Sequence, residues 1–207
     1  MITSLQLREL EEKALEQGIT VEELMENAGK KVFLATRKRF DLDGKHLLIF
    51  CGTGNNGGDG LAAAKHFAQN HPVVILLFGD KTKFSVQTQK KYNAIKKKVN
   101  ILQITEKKEL DSFHIQSNHS LLLIDALLGI GGKGPLHNPI FFAIDYFNSL
   151  PGIKVAVDVP SGLNPDTGEM KEKMCDVDLI VTFHDMKPGL QQFAQKTVVV
   201  DIGLPRN

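Results

Sequence analysis

Three glycine-rich runs concentrate the reactive and ligand-binding side chains of this chain. The first, Cys51-Gly52-Thr53-Gly54-Asn55-Asn56-Gly57-Gly58-Asp59-Gly60, offers side-chain oxygens, amide donors and one carboxylate between Asn55 and Asp59. Gly52, Gly54 and Gly57 formally satisfy the spacing G-x-G-x-x-G, whose glycines let the backbone approach a pyrophosphate at a helix N-terminus. A pure phosphate cradle, however, has no use for the negative charge of Asp59. The second run leads from Asp125 into Gly129-Ile130-Gly131-Gly132-Lys133-Gly134-Pro135, and the third is Asp158-Val159-Pro160-Ser161-Gly162 continuing to Gly168. The side chains of Asn56 and Asp125, the Ser161 hydroxyl and nearby carbonyls compose a hard-oxygen cage of low formal charge, which suits a monovalent cation better than zinc. Backbone amides of Gly129 to Gly134 can form an anion nest, with Lys133 as an optional counter-charge.

The elements around these runs must bring them together. Apolar runs at His46 to Phe50, Val73 to Phe78, Ile101 to Ile104, Leu121 to Ile124, Val155 to Val159, Leu179 to Phe183 and Val198 to Val200 are strand-like. They lack polar alternation, as strands covered on both faces do. Helical patterns lie between several of them, at Leu61 to Gln69, Ser85 to Val99 and Pro139 to Leu150. Two more helices precede the first strand. Leu7, Leu10 and Ala14 share one helical face ahead of a stop at Gly18; Thr20 and Glu23 form a capping-box pair opening a helix that runs to about Phe40. The alternation predicts an α/β fold: a Rossmann-like, doubly wound, mostly parallel sheet with helices on both faces and two N-terminal helices. In such a fold ligands bind at the carboxyl ends of the strands. Any one of the three loops is explained by turn chemistry, but three at three strand ends point to one shared pocket. The lysines Lys90, Lys91, Lys96, Lys97 and Lys98 read as a solvated helix face, and His184 as the one histidine near a strand end.

At 207 residues the chain suits one domain, taken as 1–207, and no linker or repeat divides it. A hydrophobic fraction of 42%, 24% charged residues and a net charge of +1 give no electrostatic case for nucleic acid or a membrane surface. Two cysteines, Cys51 and Cys175, are too few for a disulfide framework. Glu9, Glu11, Glu12 and Glu16 argue against an acid-poor targeting leader, so a cytoplasmic location is expected.

These residues resemble the NAD(P)H-hydrate epimerases, the YjeF N-terminal-like family. The resemblance runs through Met25-Glu26-Asn27-Ala28-Gly29, the Gly54 to Gly60 loop, Asp125 to Gly131, Val157 to Gly168, Thr182-Phe183 with Lys187-Pro188-Gly189-Leu190, and Asp201-Ile202-Gly203. It implies interconversion of the R and S forms of hydrated NADH or NADPH, in support of a separate NAD(P)HX dehydratase. It further implies substrate contacts at Asn55, Asn56, Gly57, Gly58 and Asp59, at Gly129, Ile130, Gly131, Gly132, Lys133, Gly134 and Pro135, and at Asp158. One potassium ion per subunit would be held by Asn56, Asp125 and Ser161. Two positions depart from the pattern: Thr53 stands where relatives often have proline, and Ile130 where many have threonine, removing a hydroxyl contact to a substrate phosphate. Many bacterial relatives continue into a dehydratase domain, so the chain is either a stand-alone epimerase or a piece of a longer fusion.

The hydrated cofactor is a hemiaminal, and expulsion of its hydroxyl gives a planar iminium that water can re-enter from the other face. A carboxyl group must protonate the departing oxygen and deprotonate the arriving one. Asp158 is the expected acid/base and Asp59 the second candidate. Two other readings use the same residues. A hydride-transferring dehydrogenase would take Asp80 as its ribose-binding acid, against which stands the charge of Asp59. A non-catalytic nucleotide- or partner-binding protein would keep the fold and use the N-terminal helices, whose exposed side also allows a homodimer.

Overall fold

The computed structural model describes residues 1–115, 120–132 and 134–205. The seven apolar runs form strands β1 (Lys45–Cys51), β2 (Val73–Phe78), β3 (Asn100–Ile104), β4 (Ser120–Ala126), β5 (Ile153–Val157), β6 (Leu179–Phe183) and β7 (Thr197–Val200). They pair in the order β3-β2-β1-β4-β5-β6-β7, and every pairing is parallel. Helices α1 (Ser4–Glu16), α2 (Val21–Arg39), α3 (Asn55–Phe67), α4 (Val86–Ile95), α5 (Lys107–Asp111) and α6 (Ile140–Ser149) cover the two faces. Because side chains alternate along a strand, each strand feeds two cores. Leu47, Ile49 and Cys51 pack with Leu7, Leu24 and Phe67 on one face. Leu48 and Phe50 pack with Phe142 and Phe147 on the other. Phe50 is wholly buried, stacked on Phe78 and edge-on to Phe147, so its truncation to alanine is expected to cost about 3–5 kcal/mol. Among the described residues no helix is long and apolar enough to cross a membrane.

Strand order reverses between β1 and β4, so their connections leave in opposite directions and open a crevice at their carboxyl ends. Both N-terminal helices begin as the sequence predicts or better. Thr20 accepts from the Glu23 N–H at 3.2 Å while Glu23 accepts from the Thr20 N–H at 2.8 Å, and Thr3 with Gln6 makes a second capping box. Leu7, Leu10 and Ala14 of α1 are buried against the chain's own core.

Several boundaries differ from the sequence expectation, each for a physical reason. The helix expected at Leu61 begins at Asn55, with Gly54 as its N-cap, so the glycine-rich run is the first turns of α3 rather than a loop before it. Glycine is disfavoured in helices by about 1 kcal/mol relative to alanine, which is why the pattern suggests a later start. Packing overrides propensity here: a Cβ on Gly57 would lie 1.9 Å from the Gly52 carbonyl oxygen. β5 ends at Val157 rather than Val159, because Asp158 adopts a left-handed backbone with φ 66°. Asp125 lies within β4, paired with Phe50 and Ala156, rather than past its end. α4 stops at Ile95, four residues early. Lys91 does not belong to a solvated face; it is buried and ion-paired to Glu26 at 2.7 Å, and Lys65 reaches the same carboxylate at 2.6 Å. Burial pushes the Glu26 carboxyl up, but these two ammonium groups outweigh it and hold it at about 2. That cluster ties α2, α3 and α4 together.

Candidate active site

The crevice at the switch point is a cleft of about 810 Å³, within the range of cofactor sites. Thr53, Gly54, Asn55, Asn56 and Asp59 form one part of its wall, Leu127 to Gly132 another, and Asp158 with Phe183 a third. All three sequence-predicted loops therefore meet in one cavity. The N-terminus of α3 opens into it, and the N–H groups of its first turn have no i−4 partner, an arrangement that favours an anion.

Asp158 is buried, and its carboxylate is held by Lys187, whose Nζ donates to Asp158 Oδ1 at 2.5 Å. Lys187 has no exposed surface, and it also donates to Thr182 Oγ1 and to the Phe183 carbonyl, each at 2.8 Å. All three protons of its ammonium group are thus placed. The Phe183 N–H and the Thr182 hydroxyl add two further donors to Asp158 Oδ1, at 3.3 and 3.2 Å. The left-handed backbone of Asp158 costs about 1–3 kcal/mol, and this network is what holds it.

Asp125 is buried completely, one strand away, and has no ammonium partner. Its Oδ2 accepts from the Ser161 N–H at 2.7 Å, and its Oδ1 accepts from the Ser161 hydroxyl at 2.6 Å and the Leu127 N–H at 3.1 Å. Burial pushes its carboxyl above the usual range, although the Ser161 and Leu127 donors pull the other way. Ser161 Oγ accepts in turn from the Leu128 N–H at 2.9 Å. Asn56 is buried against Gly129, and its amide Nδ2 has no protein partner. Oxygens of Asn56, Asp125 and Ser161 with free lone pairs therefore sit around the Leu127 to Gly129 segment.

Asp59 lies one turn into α3 and faces the cleft. Burial first, then the carboxylates of Asp158 and Glu11, push its carboxyl well above the usual range. That shift weakens the argument that Asp59 brings a like charge near a bound pyrophosphate. Asp80, the dehydrogenase candidate, is exposed at the cleft margin and its Oδ1 accepts from the Thr82 N–H at 2.8 Å.

Not every expected residue reaches the cavity. Gly57 and Gly58 are on the buried side of α3, and the Gly58 N–H is engaged with the Gly54 carbonyl at 3.2 Å. Gly134 and Pro135 are exposed on the outer part of their loop, and Lys133 lies outside the described residues. Ile130 lines the cleft and packs on the apolar core. His184 lines a separate, smaller cleft with Gln6, Lys13 and Asp185. Sequence reasoning missed Lys187 as a site residue, and it missed Arg8 and Glu11, which α1 presents to the cleft. The available signal for Lys187 was a lysine four residues beyond a fully apolar strand, where a short loop leaves no route to solvent.

A parallel sheet with a dinucleotide-sized cleft at its switch point, lined by an ion-paired Asp158 and the carboxyls of Asp59 and Glu11, defines a Rossmann-like ligand-binding class. Comparison with known proteins makes this specific. The family described as YjeF-related protein N-terminus matches residues 21–189, and the chain belongs to it. The chain is 34% identical to the NAD(P)H-hydrate epimerase of Nitrosopumilus maritimus, over 99% of its own length and 95% of that protein. It is 36% identical to the bifunctional NAD(P)H-hydrate repair enzyme of Pyrobaculum aerophilum and 39% to that of Archaeoglobus fulgidus. It spans only 42% and 37% of the lengths of those two. Among solved structures, yeast ynu0 shares the fold with a TM-score of 0.83 at 24% identity, covering 97% of this chain and 87% of that one.

Proposed function

We propose that the chain is an NAD(P)H-hydrate epimerase that interconverts the R and S forms of hydrated NADH and NADPH. The carrying observation is the convergence of Asn56 and Asp59 of α3 with Asp158 after β5 on one cleft, in a chain similar over nearly its whole length to a protein of that name. Epimerisation breaks the C–O bond beside the ring nitrogen, whose lone pair forms the iminium, and an acid delivers the proton that lets water leave. Water then adds to the opposite face and yields a proton to a base. Two carboxyls in different states suit these two roles. Asp158, with its charge balanced by Lys187, is the base; Asp59, its carboxyl raised by burial, is the acid; microscopic reversibility exchanges them in the reverse direction.

Binding would use the residues that line the cleft, chiefly Asn55, Asn56, Asp59, Gly129, Ile130, Gly131, Gly132 and Asp158. The residues also fit one potassium ion per subunit on Asn56, Asp125 and Ser161, since Asp125 is a buried carboxyl with no ammonium partner among the described residues and the Asn56 carboxamide, buried against Gly129, offers a carbonyl oxygen. When bound, the ion would neutralise Asp125 and fix the first turn of α3. The product would serve an NAD(P)HX dehydratase, in the cytoplasm.

The test is a coupled one. Depletion of the S form by a dehydratase is followed from a mixture of both epimers, with and without the protein, in potassium buffer. Accelerated and complete consumption only when the protein is present is the expected result. No acceleration removes the epimerase and leaves a nucleotide- or partner-binding protein on the same fold.

A further inference from the structure

One part of the cleft wall comes from α1, which precedes the residues matched by the family. The start of this helix is fastened to the loops that carry the site: the Ile2 N–H donates to the Met186 carbonyl at 2.9 Å, beside Lys187, and the Ser4 N–H to Asp166 at 2.7 Å. Leu7 anchors the next turn in the core, and Arg8 and Glu11 line the cleft. Residues three apart on a helix surface are neighbours, and an Arg–Glu pair at that spacing ordinarily forms an ion pair. Here it does not. None of the ion pairs among the described residues involves Arg8. Glu11 is turned into the cleft instead, where burial and then Asp158 raise its carboxyl above the usual range against the pull of Lys187 and Arg8.

The cleft is therefore acidic by residue count but holds one half-buried guanidinium without a carboxylate partner. Lys187 is committed to Asp158, and Lys83 is exposed at the margin. A guanidinium presents its N–H donors in a planar fork that matches two phosphate oxygens. We propose that Arg8 grips a phosphate of the dinucleotide substrate, which makes α1 a working part of the binding site. The inference rests on reading the cleft as the site for hydrated NAD(P)H. Glu11, turned into the cleft, makes no ion pair with Arg8 and leaves its guanidinium free for a ligand.

Isothermal titration with NADPH, which carries the phosphates of its hydrate, and with nicotinamide riboside, which has none, tests this directly. Arg8 is half-exposed and glutamine is a good helix former, so Arg8→Gln is expected to melt with the wild type. Its NADPH Kd should rise about 10- to 100-fold while riboside binding stays unchanged, and Arg8→Lys should fall between the two. In the epimerase assay the same variant should raise KM and leave kcat nearly intact. NADPH binding within about twofold of wild type would overturn the assignment, as would equal loss of riboside affinity or a wild type that binds no NADPH. The arms separate the two claims. A wild type that binds NADPH through Arg8 but epimerises nothing keeps Arg8 and loses the reaction; epimerisation with an unaltered KM in Arg8→Gln keeps the reaction and loses Arg8.

Discussion

The ends of β4 and β5 each bury an aspartate, and the two are handled in opposite ways. Asp158 at the β5 end meets an ammonium group that is itself wholly buried, and its charge is balanced within the chain. Asp125 at the β4 end meets, among the described residues, neutral donors from Ser161, Leu127 and the Cys175 thiol, and burial raises its carboxyl. A buried carboxylate with no cation is costly. The β5 end carries its own counter-charge, while under the proposed ion site the β4 end would take one from outside. A potassium ion would play for Asp125 the part that Lys187 plays for Asp158.

The comparison breaks most sharply at Lys187. Lys187→Met leaves the Asp158 charge buried without a partner, and urea unfolding should show a loss of about 3–5 kcal/mol together with loss of epimerisation. The double variant Lys187→Met/Asp158→Asn should recover more than half of that stability; if it recovers none, the pair is not what Lys187 stabilises. Asp158→Asn alone keeps an acceptor for Lys187, and asparagine tolerates the left-handed backbone. Its turnover should fall about 10²- to 10⁴-fold with NADPH binding retained, and near-normal turnover would remove Asp158 from the chemistry.

At the β4 end, exchange of potassium for tetramethylammonium should lower the melting temperature and the rate. At 100 times Kd a bound ion adds about 2.7 kcal/mol, and Asp125→Asn should abolish the response. A melting temperature blind to potassium would sink the ion site. Gly57→Ala tests how Asn56 is brought there. Its Cβ would collide with the backbone at Gly52, so a loss of about 1–3 kcal/mol is expected, visible in thermal unfolding, with the Asp158 network left intact. The smallest effect belongs to Asp59. Its folded carboxyl is raised, so as pH climbs through about 4 the unfolded chain releases this proton first and the fold loses stability until the raised value is passed. Asp59→Asn should therefore raise the melting temperature by about 2–4 °C at pH 7.5 and leave it unchanged at pH 4, by scanning calorimetry. A lower melting temperature at pH 7.5 would show that Asp59 is charged in the fold.

Periodicity and caps carried most of the architecture. The apolar runs became β1 to β7 with shifts of a few residues, and the Thr20–Glu23 box starts α2 where its spacing predicts. The errors cluster where backbone meets backbone. Nothing in the order of residues says that a Cβ on Gly57 would lie 1.9 Å from the Gly52 carbonyl oxygen, and so the pattern predicts a later start for α3. Nothing local says that Asp158 turns left-handed, so β5 was drawn too long. Among site residues, those inside dense motifs were found and isolated ones were missed. Lys187 looks like a loop lysine, and Arg8 and Glu11 look like the wet side of an amphipathic helix.

Residue order alone was enough for the strand–helix alternation, the three loops at strand ends and the family, because periodicity, turn residues and motif spacing are properties of neighbours along the chain. Protonation, ion pairing and access were set by packing. The pairing of Lys187 with Asp158, the raised carboxyl of Asp59 and the absence of an ion pair on Arg8 among the described residues depend on desolvation and on charges brought close from distant parts of the chain. Coulomb energy and solvation follow distance in space, not separation in sequence.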